Sequence, residues 1–78
     1  MKVHLWGELG FYGPDRQGRF EVRIREPMQI AEALALIGVP VADVAVLGHN
    51  GDVVRPHDAT VIVTDADRID CFPATSGG

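Results

Sequence analysis

Few residues in this chain combine the types and spacing that chemistry requires. His4, His49 and His57 stand at no metal-ligand spacing, and neither Cys-x-x-Cys nor His-x-x-x-His occurs, so no metal is expected. Each histidine is read as a surface residue. Asp65 and Asp67 flank Ala66 in a turn-forming stretch. Aspartates there accept backbone N–H groups, and that reading is preferred to a catalytic dyad. Ser76 has no base near it in sequence and lies close to the chain end, where a preorganised nucleophile is hard to hold. Gly7, Gly10 and Gly13 precede a strand pattern, not a helix, and do not form a phosphate-cradling loop. Cys71, the one cysteine, falls on the apolar side of a strand pattern and is read as a small buried hydrophobe. To accept sulfur it would need exposure and a lowered pKa.

One group is left, the α-carboxylate of Gly78. The chain closes on Phe72-Pro73-Ala74-Thr75-Ser76-Gly77-Gly78, small and uncharged after Pro73. Pro73 has no N–H and is expected to stop ladder pairing. A Gly-Gly end is the slimmest dipeptide and can carry its carboxylate into a narrow active site. A frayed terminus is the plain alternative. The choice depends on the body that carries it, read as a domain over residues 1–73 with a flexible tail at 74–78.

Lys2 to Trp6 alternates, with Val3 and Leu5 on one face and Lys2, His4 and Trp6 on the other, as in a half-buried strand. The glycines from Gly7 to Gly18 make residues 7–18 a loop. Arg19 to Arg25 alternates again, turning Phe20, Val22 and Ile24 inward. Ile30, Ala33, Leu34 and Ile37 then form one apolar stripe, which places a helix at about 29–37 closed by Gly38 and Pro40. Asp43 to Leu47 is apolar on both faces, as expected of a central strand. Asn50-Gly51 signals a hairpin to Val53 and Val54. Thr60 to Thr64 reads as a short strand and Arg68 to Phe72 as the last one. A hairpin, a crossing helix and further strands give an α+β fold in the β-grasp arrangement, with a mixed four- to five-stranded sheet and one main helix on one face. Its first and last strands lie side by side and parallel.

That arrangement brings Trp6 and Phe72 together on the outward sheet face, near the root of the tail. Two outcomes are open. Loop 7–18, with Leu9, Phe11 and Tyr12, folds over the pair, or the pair stays uncovered as a docking patch.

Bulk properties narrow the partners. At 78 residues the chain has room for one small domain. Net charge is −4 and the seven basic residues are scattered, which argues against nucleic acid and against an anionic membrane surface. No signal-peptide pattern or stretch of ~20 apolar residues occurs, so a cytoplasmic location is expected.

Four segments resemble the sulfur-carrier proteins of the MoaD/ThiS type: Val3–Leu9, Ile30–Pro40, His49-Asn50-Gly51, and Asp65–Pro73 continuing to Gly77-Gly78. The resemblance implies a carrier, not an enzyme. A ubiquitin-activating-type enzyme would use ATP to adenylate the Gly78 carboxylate. Sulfur from a persulfide donor would convert it to a thiocarboxylate, and a synthase large subunit would use that sulfur to build a cofactor. Gly77 would give the slim approach. Trp6, Phe72, Pro73, Ala74, Thr75 and Ser76 would meet the partners. No cofactor is implied on the carrier itself, since ATP belongs to the partner. The length and the Phe72-Pro73 ending lean toward the molybdopterin or tungstopterin type. The sequence departs from the family in three places: Ala74-Thr75-Ser76 before Gly-Gly, Ala66 in the acidic turn, and no Ser or Thr at the helix start. A ubiquitin-like interaction or conjugation module without sulfur transfer is the alternative.

Overall fold

The computed structural model describes residues 1–74. Seven strands and one α-helix appear in chain order: β1 (Lys2–Leu5), β2 (Arg19–Glu21), β3 (Met28–Gln29), α1 (Ile30–Ile37), β4 (Val44–His49), β5 (Asp52–Val54), β6 (Ile62–Val63) and β7 (Arg68–Pro73). Five strands form a mixed sheet in the order β2-β1-β7-β4-β5, and β3 and β6 form a small second sheet. β1 and β7 are parallel, pairing Val3 with Ile69 and Leu5 with Cys71. This is the expected ubiquitin-like β-grasp, with the last strand at the centre of the sheet.

The two sequence periods build one core. Val3 and Leu5 of β1, Ile69 and Cys71 of β7, and Leu47 of β4 are buried on the face that meets Ile30, Leu34 and Ile37 of α1. Gln29 precedes α1 without a side-chain cap, matching the weak start signal. Gly38 closes the helix by donating to Ala35 and Leu34 carbonyls. At the β4–β5 hairpin, Asn50 (φ 50°) and Gly51 (φ 88°) both sit in the left-handed region that a two-residue turn of this hand demands. No helix among the described residues is long and apolar enough to cross a membrane.

Several boundaries differ from expectation. β2 ends at Glu21 instead of Arg25. After Val22 exchanges bonds with Met1, the Ile24 N–H donates to Asp65 Oδ1 at 2.7 Å, which ends the ladder. β4 begins at Val44 and runs on to His49, and its second apolar face is open, with Val46 43% exposed. The third apolar position reflects an uncovered face, not a doubly buried strand. β7 continues through Pro73, which lies opposite Val44 beyond a register shift between Val44 and Val46. A proline is tolerated at such an irregular strand end because the ladder there does not require its N–H. β3 has no period that two residues could reveal.

Candidate functional site

The root of the tail is the end of β7, and alternation along β7 decides what surrounds it. Ile69 and Cys71 point into the core, so Asp70 and Phe72 point out. The parallel register sets His4 beside Asp70, and Trp6 follows one pleat further along. The Trp6 backbone N–H keeps the ladder going by donating to the Cys71 carbonyl at 2.9 Å. Its indole stacks on Phe72 with ring centroids 5.3 Å apart and on His4 at 3.8 Å. The expected aromatic pair is therefore present and extends to a three-ring stack.

Loop 7–18 does not bury this stack. It sends Leu9 into the core at 1% exposure, while Phe11 and Tyr12 stay on the surface and Trp6 remains 37% exposed. The loop thus leaves the stack partly uncovered, with Phe72 itself half-buried. Val46 lies opposite Phe72, and Val53 of β5 is 78% exposed in the row beyond Gly48. Trp6, Phe72 and Val46 thus form one outward row across three strands, and Val53 stands in the neighbouring row. Val46 and Val53 were not singled out by the sequence, because the three residues Asp52-Val53-Val54 and the apolar run Val44–Leu47 do not reveal which face is bare.

Asp70 organises the polar side of the stack. It accepts the Trp6 Nε1–H at 3.1 Å, Arg68 Nε at 3.0 Å and a terminal Arg68 nitrogen at 3.1 Å. Burial pushes the Asp70 carboxyl up, but the bonds from Arg68 and Trp6 outweigh it and hold the group below the ordinary range. His4 Nε2 accepts the Arg19 Nε–H at 3.5 Å, which leaves the ring proton on Nδ1, facing Asp70. Desolvation and then the Arg19 charge lower the His4 pKa, against the pull of Asp70. The stacked face therefore carries a neutral His4 ring near pH 7.

Gly7 fixes how the loop leaves this face. It has φ 54°, and a Cβ there would stand 3.2 Å from Pro73 Cγ. The slim backbone lets the 7–12 turn pack against the last residue of β7.

The remaining chemical candidates are structural. Asp67 accepts the Thr64 N–H at 2.8 Å and the Thr64 hydroxyl at 3.0 Å, and it meets His49 Nε2 at 2.8 Å. Asp65 accepts the Ile24 N–H and lies 3.4 Å from the Met1 amine. Both behave as turn formers, as expected. His49 differs from expectation, being half-buried and paired instead of free on the surface. Cys71 is fully buried, and burial, helped by the Asp70 charge, pushes its thiol up to about 12. It cannot serve as a nucleophile without unfolding. Among the described residues, no three His, Cys, Asp or Glu side chains gather as a metal site. Of the predicted site residues, Trp6 and Phe72 are in contact, and Pro73 and Ala74 continue the chain from Phe72. Thr75, Ser76, Gly77 and Gly78 lie outside the described residues.

These features define a class: a small ubiquitin-like β-grasp body with a bare aromatic face at the root of its C-terminal segment. The model of the ThiS family matches residues 10–78, most of the chain, and the protein belongs to that family. ThiS family proteins are small sulfur carriers rather than enzymes, and they generally work with an adenylating enzyme and a synthase partner. Comparison with curated proteins and with solved structures finds no match.

Proposed function

We propose that this protein carries sulfur as a thiocarboxylate on Gly78. The observation that supports this most is that the family match runs through Gly77-Gly78. A carboxylate is a poor electrophile until activated. Attack of the Gly78 carboxylate on the α-phosphate of ATP, in a ubiquitin-activating-type enzyme, makes an acyl-adenylate and releases pyrophosphate. A persulfide sulfur then attacks the acyl carbon and expels AMP. A second thiol cleaves the resulting acyl disulfide, leaving the thiocarboxylate. With no side chain on Gly78 or Gly77, the carbonyl is unshielded in both steps.

The body supplies what the tail lacks. Six residues beyond Phe72 reach at most ~20 Å when extended, enough to enter a partner's pocket while the body docks outside. Ordering the tail costs entropy, so affinity comes mainly from the body. The Trp6–Phe72 stack, with Pro73 and Ala74 beside it, is the surface assigned to that docking. We assign the recipient synthase to the molybdopterin or tungstopterin type, from the chain length and the Phe72-Pro73 ending, and the setting to the cytoplasm.

The test is ATP–pyrophosphate exchange catalysed by the adenylating enzyme of the same organism. The protein should stimulate exchange, and deletion of Gly78 should abolish the stimulation without lowering the melting temperature. Equal stimulation by the deletion variant would remove Gly78 from the mechanism.

A further inference from the structure

A second surface lies at the tail root, apart from the aromatic stack. Glu8, Leu9, Phe11 and Tyr12 of the 7–12 turn, Ala42 and Asp43 of the 41–43 turn, and Ala74 line an open groove of about 630 Å³. Leu9 is buried beneath it, while Phe11 (68%) and Tyr12 (41%) are exposed. The Tyr12 hydroxyl donates to Asp43 and ties the two turns together across 31 positions of sequence. Among the described residues the lining holds two carboxylates and no cation. Arg16 lies with its guanidinium 5.0 Å over the Phe11 ring, but it is not part of the lining.

Two arguments say what fills this groove. The first is reach. Four residues, Thr75 to Gly78, follow Ala74, and they span at most ~14 Å when extended. An enzyme that encloses the Gly78 carboxylate therefore has to lay its own surface within that distance of the groove. The second is charge. Covering Glu8 and Asp43 with an apolar or acidic surface would desolvate two carboxylates without compensation. A terminal carboxylate is repelled by the same rim, which disfavours the tail itself as occupant. A guanidinium satisfies the carboxylates, and its flat face stacks on aromatic rings as an ammonium does not. We infer that this groove is a second docking surface and that it receives an arginine side chain of the adenylating enzyme. The inference rests on the carrier reading given above.

The experiment measures binding of the full-length protein to the purified adenylating enzyme of the same organism by titration calorimetry, at about 50 and about 300 mM salt. The Glu8→Gln/Asp43→Asn double variant keeps the groove's shape and an acceptor for Tyr12. It should raise Kd about tenfold or more at low salt and flatten the salt dependence. Phe11→Ala should weaken binding by a further few-fold. Glu32→Gln, which neutralises an exposed acid on α1, should leave Kd unchanged and so controls for net charge. Thermal melts of every variant establish that the body is folded. An unchanged Kd and salt slope in the double variant overturns the inference. So does tighter binding by a chain truncated after Ala74, since that outcome puts the tail in the groove. If the wild type binds but supports no pyrophosphate exchange, the carrier reading fails while the binding arm still judges the groove. An absence of wild-type binding overturns the groove as a docking surface for this enzyme.

Discussion

The contact between Gly7 and Pro73 joins the body to the start of the tail, and it can be perturbed at one atom. Gly7→Ala adds a Cβ at a residue with φ 54° and sets that atom 3.2 Å from Pro73 Cγ. The left-handed conformation costs an L-residue roughly 1–2 kcal/mol. The reduced freedom of the unfolded chain returns about 0.4–1 kcal/mol. The close approach requires Pro73 or the turn to move by a few tenths of an ångström, adding roughly 0.5 kcal/mol or more. The net expectation is a loss of about 0.5–2 kcal/mol. For a domain of this size that lowers the melting temperature by roughly 4–8 °C per kcal/mol. A double-mutant cycle separates the two causes. Pro73→Ala removes Cγ, so Gly7→Ala should cost less in the Pro73→Ala background, by about the close-contact share. Thermal and urea unfolding of the four proteins measure this. A neutral or stabilising Gly7→Ala would refute the backbone argument. An equal cost in both backgrounds would refute the part assigned to Pro73.

Other outcomes follow from the same geometry. Trp6→Ala removes an exposed stack and should cost under about 1 kcal/mol of stability. It should nonetheless weaken binding to the adenylating enzyme by about 2 kcal/mol, or roughly thirtyfold in Kd, as read by calorimetry. Burial raises the Asp67 carboxyl, but bonds from His49 and Thr64 outweigh it and hold the group well below the ordinary range. Its contribution is therefore present above the unfolded value near ~3.9 and is lost as pH falls through the folded value. Asp67→Ala should cost about 1–3 kcal/mol near neutral pH by leaving the Thr64 N–H unpaired, and urea midpoints should fall less steeply with acid than in the wild type. An equally steep acid limb in Asp67→Ala would assign that dependence to other groups. Cys71, buried with its thiol pushed up to about 12, should react with a disulfide reagent at pH 8 at least about a thousandfold more slowly than in urea. Fast native-state labelling would contradict its burial.

The sequence carried the architecture where periods were long enough to count. Alternation in β1 and β7 assigned every inward residue and placed Trp6 beside Phe72 before any pairing was known. The α1 stripe gave the helix to within one residue. Short elements escaped, since the two-residue β3 offers no period. β4 lies inside the sheet, as its apolar run implies, but the exposure of its second face was not legible. An apolar run such as Val44–Leu47 has the same pattern whether both faces are buried or one is open, and Val46 is on an open face. The His49–Asp67 pair and the Tyr12–Asp43 bond join residues 18 and 31 positions apart, a proximity that only the folded topology creates. The groove at Ala74 was illegible for the same reason.

The central claim is that Gly78 becomes a thiocarboxylate, and mass spectrometry of the C-terminal peptide tests it most directly. The protein is incubated with its adenylating enzyme, ATP and a persulfide sulfur donor. The account predicts a mass gain equal to the exchange of one oxygen for one sulfur, confined to the peptide that ends at Gly78 and dependent on ATP. An unmodified Gly78 alongside a competent enzyme, or a gain located on Cys71, would contradict it.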